Sequence, residues 1–421
     1  MRLKIDFVAP PFSGHLYPLI ELAKPLLARD VDVRFVTGPN QVPFLQSLGL
    51  NAVPVLSQLP GAMEAIANTA HPVRSNPIAL IRQLRHNLAV LPKIQSDLNA
   101  LLIEHRPHVI VADFVAVPAG LVSDRLGIPW ITTIVTPFAL ESSSGTPSYL
   151  GGLMPGDDWF SRARDFAGRS FVRLFKRFVG LLCRREFRAM GFDLYRPDGT
   201  ERAYSNYSIL GLGMRELEFP RAWPACFKFI GPCCASPQAD VALNLPFGNY
   251  AKRVLVTIGT HLEWAKATLI EQVSRMAAEF QNVLFVVSFG RPLSLGADPT
   301  FAHGNVLAYE YIPYSRYLPL FDVIIHHGGA GVTYNCIEHQ KPCLVIPHDY
   351  DQFDFAARIE YHKLGVRSRK LGSRESIRGL SSVLRWENME ELARLSSQAR
   401  LCRPALELEQ EIARLTATQL R

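Results

Sequence analysis

Apolar and polar positions change register in blocks along the chain. Residues 3–9 form a short apolar-rich run that the turn residues 10–14 interrupt; residues 15–29 carry apolar positions at helical spacing, and residues 31–36 return to an extended pattern. A strand, a helix and a second strand follow from this. The same order recurs with a helical segment from about 78 to 105, a strand at 109–112 ending at Asp113, a helix through Leu126 and a strand at 130–135. It restarts in the second half with a strand at 253–258, the turn Gly259-Thr260, a helix at 269–280 and strands at 283–287, 323–325 and 343–346. Strands alternating with helices imply parallel sheets and an α/β fold.

Periodicity is lost between Arg215 and Pro237, where four prolines fall, so the linker between two α/β domains is expected there. The expected division is a first domain over 1–215, a linker over 216–237, a second domain over 238–395, and a C-terminal helix over 396–421 that can pack back on the first domain. A chain of 421 residues is long enough for two such cores.

Composition narrows the classes. With 48% hydrophobic and 20% charged residues the chain falls in the globular range, and no apolar run reaches the ~18 residues of a membrane span. Met1 to Asp6 leads straight into a strand with an acid inside it, so no signal peptide is expected and a cytoplasmic location is. Seven scattered cysteines with no C-x-x-C pair indicate neither a disulfide framework nor a zinc site. The net charge of +7 is local: between 161 and 191 nine basic residues face two acids, which leaves the rest of the chain neutral. Nucleic acid is therefore not an expected partner.

The chemistry gathers at turns that follow strands. His326-His327-Gly328-Gly329-Ala330-Gly331-Val332-Thr333 comes after a β-branched strand and opens a helix. Glycines let a ligand approach backbone N–H groups, and the helix start adds a positive dipole end, so the turn is an anion cradle. It is neither a dinucleotide fingerprint nor a P-loop. His15 follows the first strand and Asp113 ends another; carboxyl ends of strands in one parallel sheet converge on a crevice, so the two can meet. A carboxylate-oriented imidazole suits removal of a proton from an attacking hydroxyl. Taken alone, His15 and Asp113 read equally as a helix-start residue and an N-cap.

These residues carry a resemblance. The whole chain resembles the UDP-glycosyltransferase family, whose inverting enzymes have two facing Rossmann-like domains with parallel sheets and a cleft between them, the GT-B architecture. Within it the chain is most similar to bacterial zeaxanthin-type and natural-product glucosyltransferases. The resemblance rests on the His-Gly-Gly turn at 327–329, Pro342, Pro347 and Asp351-Gln352, with Asp351 24 residues beyond His327, and on the segment from Glu216 to Pro232. It implies that His327, Gly329 and the backbone of Ala330, Gly331, Val332 and Thr333 hold a diphosphate, that Thr260 meets it from the other side, and that Asp351 and Gln352 bind sugar hydroxyls. His15 becomes the general base and Asp113 its orienting partner. The chain departs from the family where Asn335 replaces a ribose-binding glutamate, Tyr311 replaces a base-stacking tryptophan, and the turn hydroxyl moves from Val332 to Thr333. Uridine and thymidine both remain open as the base.

The expected function is then transfer of a hexose, glucose first, from UDP-glucose or a dTDP-sugar to a hydroxyl of a small apolar natural product, with inversion and with neither cofactor nor metal. A sugar-nucleotide epimerase of the same architecture and a noncatalytic sugar-nucleotide-binding protein are the alternatives. Phe12, Phe138, Tyr149 and Leu153 are expected to line the acceptor pocket. Phe171, Leu174, Phe175, Phe178 and Leu182 repeat at helical spacing opposite a basic face. Ordinary burial makes this apolar face a core-packing one; the alternative is peripheral contact of residues 161–191 with an anionic membrane, at the inner face if the chain is cytoplasmic.

Overall fold

The computed structural model describes residues 2–67, 77–237, 242–291, 296–387 and 389–419. Two seven-stranded sheets form among them. The first contains β1 (Leu3–Val8), β2 (Val31–Thr37), β3 (Asn51–Pro54), β4 (Val109–Asp113), β5 (Trp130–Ile134), β6 (Ser208–Gly211) and β7 (Phe227–Phe229), in the order β3-β2-β1-β4-β5-β6-β7 and parallel throughout. The second contains β8 (Lys252–Thr257), β9 (Val283–Ser288), β10 (Phe301–His303), β11 (Val306–Tyr309), β12 (Val323–His326), β13 (Cys343–Val345) and β14 (Gly365–Arg367), in the order β10-β11-β9-β8-β12-β13-β14. Only the β10–β11 pairing is antiparallel.

The sequence reason is the same in both halves. β4 and β9 are buried along their whole length, as a sheet covered on both faces by helices requires, and both read as unbroken runs with few polar residues. Strand order reverses at the β1/β4 and β8/β12 pairs, which are the two positions where a parallel sheet opens a crevice at its carboxyl end. Each of the chemistry-bearing turns lies at one of them.

Three departures from the sequence expectation have physical causes. The first helix runs Ser13–Leu27, so His15 sits within its first turn; Gly14 meets nothing that would hinder the early start. Part of the proline-rich stretch is ordered as β7, because Phe227 and Phe229 pack against Trp223 at ring-centroid distances of 4.6 and 5.0 Å and extend the first sheet; the residues just after Pro237 lie outside the described ones. The third is the helix Trp159–Leu182, capped by Asp158 accepting from the Ser161 N–H at 2.9 Å. Its apolar face is not packed on the core: Phe171, Leu174 and Phe178 are 59%, 67% and 51% exposed. At the other end of the chain the helix Pro404–Gln419 returns to the first half, burying Leu408, Ile412 and Leu415 in one cluster with Leu16, Leu19 and Leu26.

The two halves share a buried joint. Arg358, in the helix Gln352–Tyr361, donates to Glu218 at 3.1 and 2.7 Å, with both side chains at most 2% exposed. Its guanidinium lies between the rings of Phe138 and Phe219, 4.0 and 4.4 Å from their centroids.

Candidate active site

At the switch point of the first sheet, β1 delivers the helix whose first turn carries His15, and β4 ends in Asp113. His15 Nδ1 donates to both Asp113 oxygens, at 3.0 and 3.1 Å. Asp113 is buried and also accepts the Val115 N–H at 2.9 Å, which fixes the carboxylate. A proton on Nδ1 leaves Nε2 as the basic nitrogen. Burial works against protonation of His15, but the charge and hydrogen bond of Asp113 outweigh it, helped by Asp351, and the pKa rises above its ordinary value. Phe12 and Phe114 flank the imidazole, with centroids 6.0 and 5.5 Å away. Phe114 escaped the sequence reading although it directly follows Asp113.

At the second switch point, β12 delivers His327 and the helix Ala330–Glu338. Gly328 has φ +92°, and a Cβ there would fall 2.8 Å from the Gln352 carbonyl oxygen. The His327 ring fills the space between two other glycines: a Cβ on Gly259 would lie 2.6 Å from its Cε1, and one on Gly329 2.5 Å from its Nε2. Burial, with His326, His348 and His261 nearby, pushes the His327 pKa well down, so the ring is neutral and carries one N–H to donate. A Cβ on Gly331 would meet no neighbour, so the helix start is open there. The buried Thr333 Oγ1 and His327 Nδ1 at this helix start have no hydrogen-bond partner, unmet polar atoms that suit an anionic ligand. Val332 is buried in the core, which leaves its backbone N–H as its only means of contact.

Thr260 follows β8 across from this turn, with Oγ1 3.2 Å from His261 Nδ1. Buried Lys266 donates to the Thr260 carbonyl at 3.2 Å and to Glu263 at 2.6 Å, placing a cation behind the turn that sequence spacing gave no means to locate. His261 reaches Phe12, at 5.1 Å between centroids, and burial lowers its pKa to about 4. Among the described residues, no group of three His, Cys, Asp or Glu side chains is placed to hold a metal ion.

Asp351 precedes the helix Gln352–Tyr361, and burial raises its pKa to about 6 against the pull of a backbone hydrogen bond and His15. Asp351 and His15 each feel the other's charge, so the loop of the second half lies within electrostatic range of the imidazole of the first. Gln352 is buried, and its Oε1 accepts from His348 N at 2.8 Å and Asp349 N at 3.2 Å, so only its amide N–H groups are left for a ligand. Asp354, one turn on, accepts the Tyr149 N–H at 2.9 Å. Tyr149 (φ +62°) thus bridges from the first half to the loop of Asp351, and Gly152 accepts from Arg367 at 3.0 Å beside it.

Two expected site residues sit differently. Phe138 is 1% exposed, packed edge-on to Phe355 at 5.0 Å and covered by Arg358, so it belongs to the joint between the halves and does not line an acceptor pocket. Tyr311 is 5% exposed with its hydroxyl 3.3 Å from Ser236 Oγ, so the segment at Cys234–Ser236 lies against the ring expected to stack on a base. That segment also covers Asn335, whose Nδ2 donates to the Cys234 carbonyl at 3.3 Å. Leu153 is half-buried beside Gly152, and Phe12 remains at the His15 side.

Residues 294–399 match the family described as erythromycin biosynthesis protein CIII-like, C-terminal domain. The chain is 27% identical to 4'-demethylrebeccamycin synthase of Lentzea aerocolonigenes over 91% of its own length and 92% of that protein's. It is 24% identical to zeaxanthin glucosyltransferase of Pantoea ananas, over 90% and 87%. The fold superposes on the glycosyltransferase SsfS6 of Streptomyces sp. SF2575, solved with thymidine diphosphate, with a TM-score of 0.65 over 97% and 100% of the two chains at 18% identity. The chain is a glycosyltransferase of GT-B architecture, two Rossmann-like halves facing across a cleft.

Proposed function

We propose that this glycosyltransferase moves a hexosyl group from a nucleoside diphosphate sugar, UDP-glucose or a dTDP-sugar, to a hydroxyl of a small apolar natural product, inverting the anomeric carbon. The observation that carries the reading is the His15 imidazole, held on Asp113 at 3.0 Å in the first half, with the charge of Asp351 from the second half acting on it. The acceptor hydroxyl gives its proton to His15 Nε2 as its oxygen bonds to the anomeric carbon, and the bond from that carbon to the diphosphate breaks on the opposite side. Positive charge on the imidazole is balanced by Asp113. Charge developing on the leaving diphosphate meets the neutral His327 N–H, the backbone N–H groups of Ala330 to Thr333, and Lys266 behind Thr260. Asp351 and the Gln352 amide hold sugar hydroxyls, the carboxylate accepting and the amide donating.

The nucleotide sugar is a substrate in this scheme, and no cofactor takes part. Phe12 and Phe114 give the acceptor side beside His15 an aromatic lining suited to an apolar molecule. The test is incubation with UDP- and dTDP-hexoses and a panel of hydroxylated apolar compounds, carotenoids included, read by mass spectrometry. A hexose mass gained by an acceptor supports the reading. Conversion of the donor sugar to an isomer, with no acceptor modified, would establish an epimerase instead.

A further inference from the structure

Among the described residues nothing packs on the outer face of the helix Trp159–Leu182. Phe160, Phe171, Leu174, Phe178 and Leu181 are all exposed there, and their spacing of three, four, seven and eleven residues keeps them on one side. At 1.5 Å per residue Phe171, Leu174, Phe178 and Leu181 follow one another over about 15 Å as an apolar ridge, with Phe160 in line with it near the helix start, more than the scattered single residues that soluble surfaces tolerate. Exposed Arg177 lies at its edge and exposed Arg173 and Arg162 further round the polar side, Arg173 paired with Glu141 at 3.6 Å, within the stretch from 161 to 191 that holds a net charge of +7.

We propose that this helix docks in the plane of an anionic lipid surface, its apolar ridge entering the headgroup boundary and its arginines reaching lipid phosphates. Charge decides between occupants. A two-fold pairing of the same face in two copies would oppose arginine with arginine, whereas an anionic membrane matches both the ridge and its basic edge. Arginine stems can lie along the ridge while their guanidinium groups stay at the phosphates. No described helix is long and apolar enough to cross a membrane, so the contact is peripheral.

The opposite face of the helix ties this surface to the cleft. Asp165 accepts from Thr146 at 2.7 Å, Arg164 donates to the Met154 carbonyl at 2.8 Å, and Gly168 allows Pro147 and Leu150 to approach, since a Cβ would lie 2.7 Å from Pro147. The loop so held carries Tyr149 to Asp354 beside Asp351. Docking therefore places the acceptor side of the cleft near the lipid, where an apolar acceptor would partition; this last step alone rests on the function proposed above.

Flotation of the full chain with vesicles tests the docking without any activity assay. Phosphatidylcholine vesicles containing phosphatidylglycerol should bind it about tenfold or more better than phosphatidylcholine alone, with high salt weakening binding. Emission of the exposed Trp159 should shift to the blue on binding. Phe171→Glu with Phe178→Glu should reduce binding at least tenfold, and Arg162→Gln with Arg177→Gln should remove the preference for anionic lipid. Both pairs should leave thermal stability and nucleotide affinity unchanged, which separates loss of docking from misfolding. Failure of the wild type to float, or equal flotation of the phenylalanine pair, overturns the proposal. A wild-type dimer in sedimentation that the phenylalanine pair dissociates, with no vesicle binding, would assign the face to a second copy. Retention by an acidic protein with no vesicle binding would assign it to a protein partner.

Discussion

Replacing His15 with alanine removes an imidazole whose Nδ1 is fixed by Asp113 at 3.0 and 3.1 Å and whose Nε2 is left to act on the acceptor. A positioned general base contributes ~10²–10⁴ in rate, or ~2.7–5.4 kcal/mol of activation free energy. The loss should fall on kcat, and calorimetric affinity for UDP or dTDP should stay near wild type, because the diphosphate turn belongs to the other sheet. The pH profile gives an independent reading. His15 must be neutral to accept a proton, and since Asp113 raises its pKa against the effect of burial, the acid limb of kcat/KM should lie at higher pH than an ordinary histidine would give. Asp113→Asn removes the charge that raises the pKa while burial continues to lower it, so the limb should move to lower pH. That variant keeps the base and should be slower than wild type but faster than His15→Ala. Turnover of His15→Ala within a few-fold of wild type, or an acid limb that Asp113→Asn leaves in place, would refute the assignment.

The other predictions concern the donor side and the joint. Asp351→Ala should weaken binding of a nonreactive UDP-sugar while leaving UDP affinity close to wild type, whereas His327→Ala should weaken both; calorimetric titration separates the two, and equal loss of UDP affinity would misplace the sugar pocket. Asp351 titrates near pH 6, so KM for the donor should rise as the pH falls through that range, and this rise should vanish in Asp351→Asn. Gly259→Ala puts a methyl 2.6 Å from the His327 ring at a φ of +78°, and should cost about 1–2 kcal/mol of stability together with nucleotide affinity, as measured by urea denaturation and titration. Arg358→Met leaves Glu218 buried without its partner and should cost ~3–5 kcal/mol in urea denaturation, much of it restored by adding Glu218→Leu.

What the sequence determined by itself is what local pattern can encode. Alternating strand and helix periods specify parallel α/β units, because residues that must be buried on both faces of a strand leave a different trace from those on one side of a helix. Glycine at 328, 329 and 331 after a β-branched strand marks an anion turn without any tertiary knowledge, since close backbone approach depends on the residue type alone. His15 and Asp113 were each visible at a strand end, and family spacing joined Asp351 to His327. The tertiary structure decided which of these groups face one another. Packing of the two halves brought Asp351 within electrostatic range of His15, an approach with no fixed separation in sequence, and folding of the turn after β8 put Lys266 behind Thr260. It also reversed two readings that pattern favoured. Phe138 was drawn into the joint because Arg358, 220 residues away, needed its ring, and the ridge of the helix Trp159–Leu182 was left bare because its other face had already been claimed by the loop at 145–154. An amphipathic period states that one face is apolar; only the arrangement of neighbours decides what, if anything, covers it.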